Sequence, residues 1–190
     1  MKFTVNLIVS TIFITLINGL IAQQSTPLIY NPDAPVAQFA ISHGHCSLGA
    51  SAVVNHFKVT NLKDDFSDIL INFSIDMNSL KSFDQKTTDN LKSDAIFNTD
   101  KNPYMVFQCL DNFKLGEGWF HLRGNFTING ITKYVRLMLN PENSEIKNGK
   151  RKDQYFISGD VNLFDYGIDY SDECSGNKTM FINIHLEDSK

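Results

Sequence analysis

Phe120-His121-Leu122-Arg123-Gly124-Asn125-Phe126-Thr127-Ile128-Asn129-Gly130-Ile131-Thr132-Lys133-Tyr134-Val135-Arg136-Leu137-Met138-Leu139 reads as a β-hairpin. On the first arm Phe120, Leu122, Gly124, Phe126 and Ile128 alternate with His121, Arg123, Asn125 and Thr127. On the second, Val135, Leu137 and Leu139 alternate with Tyr134, Arg136 and Met138. A period of two marks a strand with one buried face. Asn129-Gly130 between the arms is a two-residue turn signal, because both central residues must take positive φ.

The same period recurs on both sides of this hairpin. Ala37, Phe39 and Ile41 share a face, as do Ile69, Ile71, Phe73 and Ile75. Tyr155, Ile157 and Val161 share another, and Met180, Ile182, Ile184 and Leu186 a further one. Two less regular strands, near 51–59 and 103–111, bring the expected number to eight. Asp111 to Glu117 reads as a turn, and Pro141 to Lys152 as an exposed polar loop. One segment, 83–97, breaks the period; Ser82 or Asp84 there is a candidate cap for a short helix, ended before Pro103. It is either a lid over a barrel end or a plain crossover. Sequential hairpins in this number favour an all-β, eight-stranded antiparallel up-and-down barrel. A jelly roll is the alternative.

Composition bounds the function. The chain has 190 residues, 17 Lys+Arg against 21 Asp+Glu, and 15 Phe beside 6 Tyr and 1 Trp. Without a basic surplus, nucleic acid is not an expected partner. Met1-Lys2-Phe3, the uncharged run Leu7–Ile21 and Ala22 have the layout of a secretory signal peptide, cleaved after Ala22. The expected organisation is a signal peptide at 1–22 and one domain at 23–190, secreted or periplasmic. No later apolar stretch approaches the ~18 residues of a membrane-spanning helix. Export permits disulfides, but Cys46, Cys109 and Cys174 leave the pairing open.

An eight-stranded barrel has an interior that side chains just fill, or that holds one small ligand. The expected lining is Phe39, Ile41, Phe57, Ile71, Phe73, Phe107, Phe126, Ile128, Val135, Leu137, Ile157 and Val161. It carries no charge, so a ligand entering it must be apolar, at about 0.8 kcal/mol per buried CH2. Catalytic signals are weak. There is no G-x-S-x-G elbow, and the acid pairs Asp64-Asp65, Asp172-Glu173 and Glu187-Asp188 read as solvated charge. His43, His45 and Cys46 form a possible metal or redox cluster, without the spacing of an established metal motif. Cys109, on a face with Met105 and Phe107, reads as a buried thiol. Lys92, Lys133 and Arg136 are candidates for a headgroup site at a barrel mouth.

Several stretches together resemble the YceI-like family of exported, lipocalin-like barrels. Gly124–Val135 is similar to its hairpin pattern G-x-L-T-[LI]-x-G-V-T-K-x-V, and Ile75-Asp76-Met77-Asn78-Ser79-Leu80 to I-D-x-x-S-[IL]. Leu91-Lys92-Ser93 with Phe97-Asn98 resembles its helical crossover, and Asp165-Tyr166-Gly167-Ile168 its D-F-G-[IM]. Phe39, Ile41 and His43 match its first strand; Ser51, Val53 and Phe57 match its second. Asn55 stands at a usual Gly, and Leu163 at a common Arg before the D-F-G-like turn. The resemblance implies a polyisoprenoid or isoprenoid-quinone-like amphiphile held in an elongated apolar interior, in a carrier, storage or stress role, with no reaction and no cofactor. The alternative is a secreted structural or interaction barrel with a filled core. A homodimer could form through a free barrel edge or the 83–97 helix.

Overall fold

The computed structural model describes residues 35–43, 46–60, 63, 65–147, 149–169 and 178–189. The expected signal peptide at 1–22 lies outside them, as do His45 and Cys174. The strands are β1 (Val36–His43), β2 (Cys46–Thr60), β3 (Leu70–Ser82), β4 (Tyr104–Gly116), β5 (Trp119–Ile128), β6 (Ile131–Lys147), β7 (Lys150–Asn162) and β8 (Lys178–Ser189). Each pairs antiparallel with its neighbour in sequence, and β1 pairs with β8. The eight strands form a closed ring, which leaves neither β1 nor β8 as the free edge expected for a dimer. The connections alternate between ends. Those from β1, β3, β5 and β7 gather at one end, which we call the capped end. Those from β2, β4 and β6 gather at the other, the mouth.

The β5–β6 hairpin forms as the sequence dictates. Asn129 and Gly130 both have positive φ, 50° and 74°, and the ladder runs from Ile128↔Ile131 to Phe120↔Leu139. At the capped end α1 (Gln85–Lys92) and its following turn sit across the opening. The Asp84 carboxylate accepts the Thr87 N–H at 2.6 Å and caps the helix. Leu91, Ile96 and Phe97 are buried within the barrel core, so this excursion stoppers the end as well as crossing it. A 3-10 turn, Leu163–Tyr166, adds Leu163, Tyr166 and Ile168 to the same plug; Gly167, at φ 69°, closes the turn by donating to the Leu163 and Phe164 carbonyls.

Two expectations need correction. Pro141–Lys152 is not a loop. β6 and β7 continue as a ladder through Ser144↔Asp153 to Lys147↔Lys150. Residues 142–146 are exposed, so no face of the β6 arm had to be apolar and no period betrayed the strand. Similarly β4 extends through Asp111 to Gly116, and only Glu117-Gly118 turn. Within β2 the buried face changes phase: Ala50, Ala52 and Val54 are buried, whereas Phe57 and Val59 carry the core contact beyond. The cause is a bulge between Val54 and His56, where Asn55 is the unpaired extra residue; its side chain accepts the Ser74 hydroxyl at 2.6 Å. The Asn that replaces the usual Gly thus sits on the bend itself.

A second irregularity on β3 gives the I-D-x-x-S stretch its physical meaning. Asp76 accepts the Asn78 N–H at 2.9 Å, and Ser79 Oγ accepts the Val53 N–H at 2.7 Å while donating to the Asp76 carbonyl at 2.6 Å. These side chains replace the ladder bonds lost where β2 and β3 slip register. Lys92 Nζ donates to the Asn78 carbonyl at 2.6 Å and ties α1 to the same bend.

The ring is thinnest between β3 and β4. Their ladder has four pairs, Phe73↔Phe107 to Asp76↔Tyr104. Toward the mouth, side chains stitch the strands: Asn72 Oδ1 accepts the Cys109 N–H at 2.9 Å, and Asn112 Nδ2 donates to the Ile69 and Ser67 carbonyls at 2.9 and 3.3 Å.

Candidate functional site

Of the twelve expected lining residues, ten are buried: Phe39, Ile41, Ile71, Phe73, Phe107, Phe126, Ile128, Leu137, Ile157 and Val161. Phe57 and Val135 are partly buried and pack against them. All twelve join one hydrophobic cluster, because alternation along a closed ring aims every second side chain at the axis. Phe73, Phe107 and Phe126 touch one another across three strands. Phe73 stacks on Phe107 at 5.2 Å between ring centroids, and Phe126 meets both edge-on at 6.1 and 6.0 Å. Register accounts for the cluster, since Phe107 is paired with Phe73 on one side and Phe126 on the other.

The expected lining left out part of the inner wall. Met77, Met105, Phe120, Leu122, Leu139, Tyr155 and the β8 face from Met180 to Leu186 belong to the same cluster. Most carried the period-two signal, which was sufficient to find them. The cap residues Leu91, Ile96, Phe97, Leu163 and Tyr166 lie in a two-turn helix, the turn after it and a 3-10 turn, each too short to display a period.

The inner wall is not wholly apolar. On β7 Asp153, Tyr155 and Ile157 are successive buried positions, 1%, 0% and 0% exposed. Asp153 Oδ1 accepts Ser144 Oγ at 2.6 Å and Arg151 Nε at 2.8 Å. The Tyr155 hydroxyl is buried beside the Asp153 carboxylate. Burial, then the Asp153 and Asp188 charges, hold its phenol well above the usual tyrosine range. Tyr166, in the plug at the capped end, is buried with no hydrogen-bond partner for its hydroxyl among the described residues, its pKa pushed up to about 12 by burial and by Asp165.

The expected headgroup cations lie elsewhere. Lys92 is bound to Asn78, Arg136 is exposed on the outer wall opposite Arg123, and Lys133 is exposed at the rim. Leu163 is fully buried in the plug, so its position offers no charge to a ligand. Cys46 is disulfide-bonded, which removes its thiolate from the expected His43/His45/Cys46 cluster. Cys109 is a free, buried thiol, its pKa raised chiefly by desolvation. On the outer wall a depression of about 650 Å³ is lined by Leu115, Gly116, Glu117, Trp119, Met138 and Ser158, none of them expected lining residues.

Comparison with known proteins agrees with this architecture. The family model for the YceI-like domain matches residues 30–187. A curated relative, the UPF0312 protein of Shewanella denitrificans, is 32% identical over 105 residues, which are 53% of this chain and 53% of that protein. The matched stretch therefore spans about half the length of that relative. Among solved structures, Burkholderia cenocepacia BcnA superposes with a TM-score of 0.69 at 12% identity, covering 81% of this chain and 96% of that one. The YCEI protein of Campylobacter jejuni gives 0.61 at 20% identity, covering 72% and 82%. At such identities the likeness is one of fold.

Proposed function

This chain belongs to the YceI-like domain family, and we propose that it is an exported, non-catalytic carrier or store that holds a polyisoprenoid-like amphiphile in its barrel. The family is known as a polyisoprenoid-binding barrel fold, and its members are generally binding proteins. The observation that carries the reading to this chain is the inner wall: a closed ring whose axis-facing side chains are apolar from the plug to Ile157. Such a wall rewards a hydrocarbon chain by about 0.8 kcal/mol per buried CH2 and asks for no polar contact along its length. The N-terminal layout read as a signal peptide supports export.

The test is native mass spectrometry and organic extraction of the full-length gene product purified from its own host. A co-purifying isoprenoid on a chain lacking residues 1–22 is the expected result. A lipid-free chain would overturn the carrier reading, and an intact N-terminus would overturn export. One observation favours the second reading, a secreted interaction barrel with a filled core: Phe73, Phe107 and Phe126, side by side on three neighbouring strands, pack their rings on one another. The lipid-free result would establish it.

A further inference from the structure

Both ends of the barrel axis are obstructed by packed side chains. Leu91, Ile96, Phe97, Leu163 and Tyr166 stopper the capped end. At the mouth Phe66 lies edge to face on Tyr155, ring centroids 6.3 Å apart. A long apolar molecule held on the axis therefore needs a way through the wall. The wall is weakest between β3 and β4, whose ladder has four pairs against seven or more in every other ladder among the described residues. Mouthward of Phe73↔Phe107 two asparagine side chains span the seam instead. Asn72 Oδ1 accepts the Cys109 N–H, and Asn112 Nδ2 donates to the Ile69 carbonyl, both at 2.9 Å. Between these stitches lie Leu70 and Ile71 on β3 and Leu110 and Asp111 on β4, a stretch of about 10 Å at the rise of a strand. Leu110, the extra residue of the β4 bulge, is 58% exposed. Leu70 is half-buried against the core, and Ile71 and Cys109 are buried. Phe73 and Phe107 come next along the same inward faces, so apolar side chains lead from solvent at Leu110 to the aromatic cluster inside.

We propose that this seam is the ligand portal: a hydrocarbon chain enters and leaves the barrel sideways, between β3 and β4 at the level of Ile71 and Cys109. The inference rests on the carrier reading and specifies its route. Parting two strands of a regular ladder strips backbone groups of one another, and each polar group left buried without a partner is costly. Here the bonds that break end on asparagine side chains, which swing outward and are satisfied by water. The bulge at Leu110 bends β4 at the same level. Neither the plug nor the Phe66–Tyr155 pair has to move.

The seam can be locked with a thiol the chain already has. Ile71 lies two residues beyond Phe73↔Phe107 on β3, as Cys109 does on β4, and the Ile71 backbone hydrogen-bonds the Cys109 sulfur. Cys109 is free, so Ile71→Cys offers it a disulfide across the seam. The full chain is loaded with retinol, a fluorescent isoprenoid alcohol, and release to phosphatidylcholine vesicles is timed. Peptide mass mapping verifies the crosslink, and a thermal melt shows each variant folded. Wild type under the same reductant is the baseline, because Cys46 is itself disulfide-bonded. Oxidised Ile71→Cys is expected to release retinol about tenfold more slowly or less than its reduced form, since a disulfide does not open on the timescale of strand motion. A control crosslink in a continuous ladder, Thr127→Cys with Thr132→Cys, whose hydroxyls are 2.7 Å apart, is expected to leave release unchanged. Asn72→Ala probes the seam without a crosslink and is expected to release about fivefold faster, the worth of one neutral hydrogen bond. Equal release from oxidised and reduced Ile71→Cys would overturn the portal, and so would wild-type release from Asn72→Ala. In either case the carrier stands and its ligand passes through an end. If the wild type takes up no retinol, the carrier reading fails and the portal with it.

Discussion

Phe66 and Tyr155 meet edge to face across the mouth of the barrel, ring centroids 6.3 Å apart and planes at 89°. They come from opposite sides of the ring, the β2–β3 connection and β7. Phe66 reaches this position only by adopting φ 57°, a left-handed conformation that costs a non-glycine residue about 1–2 kcal/mol. Two hydrogen bonds hold it there: its N–H donates to the Lys63 carbonyl, and its own carbonyl accepts the Ile69 N–H, each at 3.1 Å. The pair predicts an unusual ordering of variants. Phe66→Ala is expected to lower stability by about 2 kcal/mol, because the ring is lost and the strain kept. Phe66→Gly loses the same ring but not the same strain, and is expected to be about 1 kcal/mol more stable than the alanine variant. Urea midpoints of the two would settle the order.

Gly124 lies at the tightest approach of β4 and β5. A Cβ added there collides with the Gln108 carbonyl oxygen, a backbone atom that cannot turn aside. Leu110 is the extra residue of a bulge immediately after the Cys109↔Gly124 pair, and the close approach goes with that bulge. Gly124→Ala is expected to cost about 3 kcal/mol, at the upper end of the range for overpacking. The same substitution at the exposed turn residue Gly118, whose Cβ meets nothing within 4 Å, carries only the positive-φ strain and is expected to cost about 1 kcal/mol. Thermal melts of the two variants provide the comparison.

The stitched seam between β3 and β4 should be a weak point with a local signature. Asn72→Ala strips the Cys109 N–H of its acceptor, and Asn112→Ala strips two carbonyls of one donor. Each is expected to destabilise by about 1–3 kcal/mol. Amide hydrogen exchange at Cys109 should quicken far more in Asn72→Ala than exchange at Phe126, which sits inside the continuous ladder. Uniform acceleration across β4 and β5 would contradict a local role.

The buried tyrosines make the fold less stable at alkaline pH. An unfolded tyrosine loses its proton near pH 10, whereas Tyr166 keeps its proton to about pH 12. Tyr155 is raised in the same direction. Between those pH values the folded state binds more protons, so stability falls as pH rises, by up to about 1.4 kcal/mol per pH unit for each tyrosine. Their contribution is fully present below pH 10. Tyr166→Phe is expected to flatten the decline between pH 10 and 12 and to leave the profile below pH 9 parallel to the wild type. Urea denaturation at stepped pH checks both limbs.

Legibility in the sequence followed the physics of each element. Strands with one buried face announced themselves, since Ile69, Ile71, Phe73 and Ile75 had to alternate to reach the axis. The β5–β6 turn was readable because its dihedrals admit few residues besides Asn129 and Gly130. The extension of β6 past Pro141 was hidden, because a strand exposed on both faces needs no pattern, and the matching β7 arm turns a charged residue, Asp153, inward. The phase change at Asn55 was hidden for another reason: a bulge adds one residue without changing composition. As for the site, the apolar lining could be listed from its period, but Tyr155 looked like one more core aromatic. Its distinction lies in a hydroxyl buried beside the Asp153 carboxylate, a fact of three-dimensional surroundings that spacing does not encode.

The pairing of β1 with β8 has a kinetic meaning. Every other ladder joins strands adjacent in the chain and can form as a local hairpin, whereas Ala37↔Ile184 and its neighbours join positions almost 150 residues apart. The loop entropy of that closure is met only once, at sealing. Until then β1 and β8 present bare edges able to recruit another molecule's strand. Assembly of this molecule is thus a race between sealing and strand exchange, and substitutions that slow the docking of Val36–His43 will raise the yield of aggregates before they lower the stability of the finished barrel.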